Sequence, residues 1–151
     1  MDVTDSLKLE NQLCFPLYAL SRLVTRAYQP YLEKLEITYP QYLVLLVLWE
    51  TQEPMSVNDI THRLVLNTNT VTPLLKRMHQ QGLVVRERDT DDERKMLITL
   101  SDKGLGMKKM ALSIPQEMAK NMLNGPLSMG ELMTLKGSLC QLIEYLDKRP
   151  D

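Results

Sequence analysis

The side chains best suited to covalent chemistry are two cysteines, Cys14 and Cys140, which we expect to rest as thiols. Neither belongs to a C-x-x-C pair or a cysteine–histidine cluster, and we interpret the isolated His62 and His79 as ordinary helix-surface residues. The sequence therefore predicts no metal site and no cofactor. A thiol can be oxidised, although a lone cysteine on an apolar helix is more often a small buried hydrophobic residue.

A second set of side chains, within residues 67–82, has the pattern of a helix that packs on one face and makes contacts with the other. Its apolar positions recur at i, i+3, i+4 and i+7, and its polar positions lie opposite. The apolar face consists of Val71, Leu74, Leu75 and Met78, and the polar face of Asn69, Thr72, Lys76 and His79. Short polar and basic side chains of this kind suit the edges of DNA bases.

The preceding residues predict a second helix that would hold the first in place. Ser56 followed by Asp59 is typical of a helix start, and residues 65–67 form a tight connection to the next helix. Two short helices joined in this way are a helix-turn-helix candidate.

The following residues change from helical to β periodicity. Gly82 is a natural helix stop, and the β-rich runs 83–88 and 95–100 flank a charged turn at 89–94. Together with the two helices, this hairpin predicts a winged helix-turn-helix. In that fold the second helix enters the major groove and the wing reaches the backbone or the minor groove.

Residues 42–49 are apolar on every face, so they must be buried in any conformation. A buried strand is one interpretation. Thr38 followed by Pro40 is a strong helix start, and with the length of the segment it favours a central helix.

Amphipathic segments flank this unit. Residues 8–34 carry a helical apolar stripe, in which Pro16 either kinks the helix or marks its first turn. Pro30 indicates a second bend or break. Residues 101–118 predict another helix, which Pro115 must bend.

A last helix is predicted to start at Ser128, where Glu131 completes a capping box, and it carries a long leucine-rich stripe. The flanking helices have more apolar surface than a small winged helix can cover. They form either a larger monomer core or, as we favour, a homodimer interface that sets two reading helices about one DNA turn apart. The predicted fold is mainly α with a small β-hairpin wing.

Composition is that of a soluble globular chain, with 151 residues, 44% of them apolar and 25% charged. The formal net charge of −1 gives no support to a nucleic-acid partner, so DNA contacts must come from positioned groups. The longest apolar run, 42–49, is far shorter than the roughly 20 residues that cross a bilayer. We therefore expect no membrane partner and a cytoplasmic location.

Four blocks of the chain resemble the MarR family of dimeric winged-helix repressors, and more narrowly its organic hydroperoxide resistance regulators. The blocks are residues 9–15, which contain Cys14, residues 37–42, residues 70–78 and residues 92–94. The likeness extends over about 8–103. It implies a single MarR-type domain over 1–151, with dimerisation helices at 8–36 and 101–148 and a winged helix-turn-helix at 38–100.

The resemblance implies a repressor without enzymatic turnover that leaves its DNA when an organic hydroperoxide oxidises Cys14. Tyr18, Tyr28 and Tyr39 would surround the sulfur, partly from the other subunit. Phenol hydroxyls that donate to sulfur favour the thiolate. A low-molecular-weight thiol is a candidate partner after oxidation. Cys140 lies later than the resolving cysteine of two-cysteine relatives, so its part in oxidation stays open.

The expected partner is double-stranded DNA with a pseudo-palindromic operator. The residues expected at DNA are Thr68, Asn69, Thr70, Thr72, Lys76 and Arg77 on the reading helix and Arg86, Asp92 and Arg94 on the wing. Arg94 would enter the minor groove, with Asp92 orienting it. Relatives commonly begin the reading helix with Asp-Ser-Gly where this chain has residues 67–69 as Asn-Thr-Asn, so their operator sequence is not carried over.

Two other hypotheses compete with this interpretation. A regulator of the same fold could instead be released by a small phenolic or drug-like ligand, with Cys14 not a sensor. A thiol peroxidase could use Cys14 as its nucleophile, but no positioned arginine or second motif accompanies it and the wing would have no purpose.

Overall fold

The structure, a computed structural model, describes residues 3–149, so the first two and last two residues of the predicted domain lie outside it. Two short 3₁₀ turns, Val3–Leu7 and Leu9–Asn11, precede the first helix. The helices and strands that follow are α1 (Cys14–Glu33), α2 (Tyr39–Thr51), β1 (Met55–Ser56), α3 (Val57–Leu64), α4 (Thr68–Gln80), β2 (Val84–Arg88), β3 (Met96–Leu100), α5 (Asp102–Ala111), α6 (Ile114–Leu123) and α7 (Met129–Leu146).

Helix α2 lies at the centre of the core, and seven of its 13 residues are buried. Its start is a complete capping box, because the Thr38 hydroxyl accepts from the Gln41 N–H and the Gln41 side chain accepts from the Thr38 N–H. The prediction of a central helix is thus confirmed. Side chains from α1, α3, α4, the sheet, α5 and α6 complete the core around it.

Helices α3 and α4 form the predicted helix-turn-helix. Ser56 and Asp59 make the expected capping box at the start of α3, and Val65 turns the chain with a φ of 54°. The four predicted apolar positions of α4 are all buried. Gly82 ends the helix with a φ of 74°, in the left-handed conformation the sequence predicted.

The wing is a hairpin of β2 and β3, with Val84 opposite Leu100 and Arg88 opposite Met96. A third strand, β1, pairs with the other edge of β3 and gives the order β1-β3-β2. Strand β1 was not predicted, because it has two residues and its Ser56 also caps α3. The third strand attaches the wing to the start of the helix-turn-helix.

Helix α1 starts later than predicted, and Pro16 takes one of the two positions that the sequence left open. The helix begins at Cys14 rather than near Lys8, and Pro16 falls in its first turn, where a backbone N–H has no partner within the helix. Pro30 lies inside the helix, which continues to Glu33, so the expected break there is wrong. The loss of one hydrogen bond near the end of the helix is tolerated.

The segment after the wing contains two helices where one bent helix was predicted. Helix α5 ends at Ala111 and α6 begins at Ile114, with Pro115 in its first turn. Proline at this position starts a helix without strain, so it begins α6 and does not bend α5. Ser128 and Glu131 form the predicted capping box of α7.

Candidate DNA-binding surface and thiol site

The polar face of α4 is available for contacts outside the chain. Thr68, Asn69, Thr70, Lys76 and Arg77 are exposed, and Thr72 is half-buried. The buried face of the helix packs on α2, α3 and the sheet, which fixes its rotation. The structure therefore brings six of the predicted DNA contacts together on one surface.

Asn67, which was not among the predicted contacts, organises the start of this helix. Its side-chain Oδ1 accepts from the Thr70 N–H and from the Thr70 hydroxyl, each over 3.0 Å. The Thr70 hydroxyl proton is thus engaged within the chain, and its oxygen remains an acceptor. Asparagine just before a helical segment is a capping signal, so Asn67 could have been identified from the sequence.

The tip of the wing is ordered by its own side chains. The Arg94 Nε donates to Asp92 Oδ1 over 3.1 Å, and the Arg88 side chain donates to the Glu93 carbonyl over 2.7 Å. The hydrogen bonds from Arg94 hold the pKa of Asp92 below its usual value, so the carboxylate is ionised at neutral pH. Arg94 is 91% exposed, and its charge is held at the tip and directed outward.

Arg86 differs from the other predicted contacts because it is half-buried on β2. Its Nε is buried and has no hydrogen-bond partner. The side chain lines a groove of about 520 Å³ between α3, α4 and the wing, together with Thr72 and Arg94. A guanidinium recessed in this groove can meet a group that enters between helix and wing, but it does not stand on the outer surface.

The far end of α4 is tied to neighbouring helices. The Gln41 side chain donates to the side-chain oxygen of Gln81 over 2.8 Å, and the Lys103 ammonium donates to the Gln81 carbonyl over 3.0 Å. A cation at this point also complements the negative end of the helix dipole.

The Gly104 backbone packs so closely on the Leu83 carbonyl that a Cβ there would approach its oxygen to 2.1 Å.

The thiol site is not assembled within one chain. Cys14 is exposed at the first position of α1, and Tyr18, one turn further on, is exposed beside Arg22. Tyr28 is 14 residues from Cys14 on the same helix, about 21 Å at the rise of an α-helix. Of the predicted tyrosines, only Tyr18 can therefore lie near the sulfur of its own chain.

Tyr28 and Tyr39 contact each other, with ring centroids 4.9 Å apart, and both contact Tyr42. Burial raises the pKa of all three phenols, so their hydroxyls are protonated at neutral pH and can donate. Tyr42 was not predicted as part of this tyrosine cluster (Tyr28, Tyr39 and Tyr42). Its position one turn after Tyr39 on α2 was the available signal.

Beside this cluster, α1 and the start of α2 enclose a cavity of about 480 Å³. Its lining includes the charged side chains of Arg22, Arg26 and Glu33 and the ring of Tyr39, and Leu32 and Ile37 contribute apolar surface.

Within residues 3–149, no three histidine, cysteine or acidic side chains are placed to hold a metal ion. His62 and His79 instead face the backbone carbonyls of Asn58 and Val84. No helix in this part of the chain is both long enough and apolar enough to cross a bilayer.

Comparison with known proteins connects these features. A family profile described as "Transcriptional regulator SarA/Rot" matches residues 26–111. The organic hydroperoxide resistance transcriptional regulator of Bacillus subtilis (strain 168) is 48% identical over 96% of this chain and 96% of its own length. The HTH-type transcriptional regulator MgrA of Staphylococcus aureus is 45% identical over 67% of this chain and 69% of its own.

Solved structures of AbfR, a protein of Staphylococcus epidermidis, are similar over nearly the whole chain. Reduced AbfR bound to DNA has a TM-score of 0.76 at 38% identity and covers 95% of this chain and 97% of its own. Overoxidized AbfR bound to DNA has a TM-score of 0.74, at the same identity, over 95% and 98%. Disulfide-formed AbfR has a lower TM-score of 0.63, again at 38% identity, over 93% and 96%. Another crystal structure of AbfR has a TM-score of 0.74 at 36% identity, so this chain is less similar to the disulfide form than to the other three.

The chain belongs to the MarR family of winged-helix transcriptional regulators, and its resemblance to organic hydroperoxide resistance regulators is confirmed. It is a DNA-binding regulator and not an enzyme, which excludes the thiol peroxidase hypothesis.

Proposed function

We propose that the protein is a homodimeric repressor that holds a pseudo-palindromic operator until an organic hydroperoxide oxidises Cys14. The α4 residues of the two subunits enter successive major grooves, and Arg94 of each wing enters the adjacent minor groove. Asp92 orients Arg94, and Arg86 faces the groove between helix and wing. The protein acts where its DNA lies, in the cytoplasm.

Exposed apolar side chains support the homodimer. Helix α7 buries none of its 18 residues, and the first half of α1 buries none either. The exposed large apolar residues in these two stretches include Phe15, Leu17, Leu20, Leu23, Met129, Met133, Leu135, Leu142, Ile143 and Leu146. Contiguous apolar surface of this extent is typical of a subunit interface, and two-fold symmetry would pair each stretch with its counterpart.

The observation that carries the sensing proposal is the separation of Cys14 from the tyrosine cluster within one chain. Cys14 is exposed at one end of α1, and the cluster lies near the other end. An antiparallel arrangement of the two α1 helices in a symmetric dimer brings each Cys14 to the tyrosine cluster of the other subunit. Two such sites would then connect the subunits.

The chemistry follows from thiolate reactivity. The Cys14 thiolate attacks the terminal oxygen of the hydroperoxide, and an S–O bond forms as the O–O bond breaks; the alkoxide that leaves takes a proton from solvent and becomes an alcohol. The sulfenic acid can then condense with a low-molecular-weight thiol, with loss of water, to form a disulfide. The new group displaces the tyrosine hydroxyls and changes the spacing of the reading helices. Two AbfR structures support disulfide formation as the releasing step, because overoxidized AbfR is bound to DNA and disulfide-formed AbfR has a lower TM-score to this chain.

The first test replaces the proposed sensor thiol. Cys14→Ser is expected to keep DNA affinity and to lose release by cumene hydroperoxide, measured by fluorescence anisotropy on a duplex selected from random DNA by the wild type. Cys140→Ser is the matched control, since both thiols are exposed. Release that persists in Cys14→Ser contradicts the sensing proposal.

A mixed dimer tests whether the tyrosines act across the interface. One subunit carries Cys14→Ser, and the other carries Tyr28→Phe with Tyr39→Phe. If the tyrosines act in trans, the remaining Cys14 faces intact tyrosines and is alkylated at the wild-type rate. If they act in cis, the rate equals the lower rate of the Tyr→Phe homodimer. If that homodimer is itself alkylated at the wild-type rate, the tyrosines only pack.

A second candidate function is supported by the cavity beside Tyr39. Its volume of about 480 Å³ and its two arginines suit a small phenolic acid such as salicylate. Salicylate that releases wild type and Cys14→Ser equally, but not Arg26→Gln, would favour a ligand-controlled repressor with Cys14 incidental.

A further inference from the structure

The residues after α7 make a polar contact with the helix-turn-helix. The Asp147 N–H donates to the Ile143 carbonyl over 2.8 Å, and the backbone then becomes extended. Arg149 binds the Asp147 carboxylate with two parallel bonds, Nε to Oδ1 and Nη2 to Oδ2, each of 2.8 Å. This arrangement fixes the plane and direction of the guanidinium.

The remaining nitrogen of Arg149, Nη1, donates to two backbone carbonyls of the helix-turn-helix. It lies 2.6 Å from the Leu66 oxygen and 3.4 Å from the Thr61 oxygen. The Thr61 carbonyl belongs to the last turn of α3, and Leu66 lies in the connection to α4. Carbonyls at the end of a helix carry partial negative charge, so a guanidinium is favoured there.

The position of Leu66 determines how the reading helix begins. Its carbonyl belongs to the peptide that leads into Asn67, and Asn67 caps α4 through the Thr70 N–H. The opposite end of α4 is held by Gln41 and Lys103 through Gln81. Residues from outside the helix-turn-helix therefore fix both ends of the reading helix, and Arg149 serves the end nearest the predicted base contacts.

We propose that Arg149 is a positioning residue for DNA recognition, which ties the end of α7 to the turn that starts α4. The inference rests on the proposed function, because it takes α4 as the reading helix and α7 as a dimer helix. Since α7 buries none of its own residues in the described chain, this contact is a polar tether and not an extension of the core. A displacement of α7 is therefore transmitted through Arg149 to the start of α4.

The test compares Arg149→Gln with Lys148→Gln, which removes the same charge from the neighbouring exposed residue. The probes are a duplex selected by the wild type from random DNA and an unrelated duplex of equal length. Arg149→Gln is expected to weaken binding to the selected duplex roughly fivefold to thirtyfold, as charge-assisted hydrogen bonds are lost. Affinity for the unrelated duplex and the salt slope stay unchanged, because Arg149 neutralises no phosphate. Lys148→Gln is expected to match the wild type.

Hydrogen exchange supplies a readout that a DNA contact would not move. In free Arg149→Gln the amides of Thr70 and Val71 exchange faster, while those in the middle of α7 do not. If this variant fails to fold, Asp147→Asn keeps the charge of Arg149 but weakens its orientation, and a roughly twofold to fivefold loss of specific binding is expected.

Unchanged specific affinity in Arg149→Gln overturns the inference and leaves the proposed function standing. A salt slope lower by about one indicates a direct phosphate contact and also overturns it. If Lys148→Gln loses as much affinity for the selected duplex, the effect is one of general charge, and this outcome also overturns the inference. If the wild type selects no duplex, the proposed function fails and this inference falls with it.

Discussion

Helices α2 and α7 are both rich in leucine, yet they differ in how far they are buried. Seven of the 13 residues of α2 are buried, and none of the 18 residues of α7 is. Helix α2 is apolar on every face and needs neighbours on all sides, which α1, α3, α4, α5 and α6 supply. Helix α7 has no such enclosure within one chain.

The contrast shows that the described chain completes its core around α2 but leaves the apolar faces of α7 and of the first half of α1 uncovered. Stability of the winged helix-turn-helix should depend on contacts within the chain, and the spacing of two reading helices should depend on contacts between chains. The first two predictions below each act on one side of this division, and the last two concern the wing tip and the helix caps.

The largest effect is expected in the core. Leu75 on α4 is fully buried, and Leu75→Ala should lower the free energy of unfolding by about 2 to 5 kcal/mol, through lost apolar burial and the cavity left behind. Leu46→Ala, at a leucine of α2 that is 39% exposed, is the control and should cost less than about 1 kcal/mol. Urea denaturation of both variants measures the difference, and equal losses would remove the distinction between the core and the surface.

The next effect concerns association. Leu142→Glu places a charge on the exposed face of α7 and should weaken the dimer by about 1.5 to 3 kcal/mol, because an interface would bury that charge. Gln141→Glu adds the same charge at the neighbouring position and should do less. Sedimentation equilibrium decides the point: two variants with the wild-type association constant would exclude this face of α7 from the interface.

Arg94→Ala should weaken binding to the selected duplex by about 1 to 3 kcal/mol per site, since the wing tip loses its positioned charge. The fold should be unaffected, because Arg94 is 91% exposed. Lys120→Ala, which removes a cation from α6, is the control. Anisotropy titrations at physiological salt that do not separate Arg94→Ala from wild type would contradict the role of the wing.

The smallest effect distinguishes the cap at the start of α7 from the cap at the start of α2. Hydrogen bonds from the Ser128 N–H and hydroxyl hold the pKa of Glu131 below its ordinary value of 4.5, whereas the α2 cap uses the neutral Gln41. A lowered folded-state pKa stabilises the fold above the unfolded-state value, and this contribution is lost as pH falls through the folded-state value. As pH falls from 6 to 3, the protection factor of the Ser128 amide, which corrects for the intrinsic pH dependence of exchange, should therefore fall, and that of the Thr38 amide should not. Parallel changes at both amides would contradict this assignment.

Local chemistry explains which parts of the fold could be predicted. The caps at Thr38, Ser56 and Ser128 use side chains within three residues of the helix start, and Gly82 ends α4 through its own backbone conformation, so short sequence windows contain these signals. The errors occurred where a proline has two permitted positions. Pro115 could bend a helix or start one, and only the packing of Ile114 into the core decides between these.

The candidate site was predictable only in part for a different reason. Polar residues of α4 lie on one face because of helical periodicity, and Asp92 contacts Arg94 within a single turn. The contact of Arg149 with Leu66 joins residues 83 positions apart, and no periodic pattern indicates it. The relation of Cys14 to the tyrosine cluster would depend on a second subunit, which a single sequence describes only through its exposed apolar face.

The bond between Trp49 and Gly104 has a spectroscopic consequence. Trp49 is the single tryptophan of the chain, and its buried indole N–H donates to the Gly104 carbonyl over 2.9 Å, from α2 to α5. Its emission therefore reports the junction between the winged helix-turn-helix and the helices that follow. The ring of Tyr42 lies 6.4 Å away, close enough to pass excitation to the indole. Stopped-flow fluorescence can thus follow, without an added label, whether peroxide at Cys14 moves this junction before DNA is released.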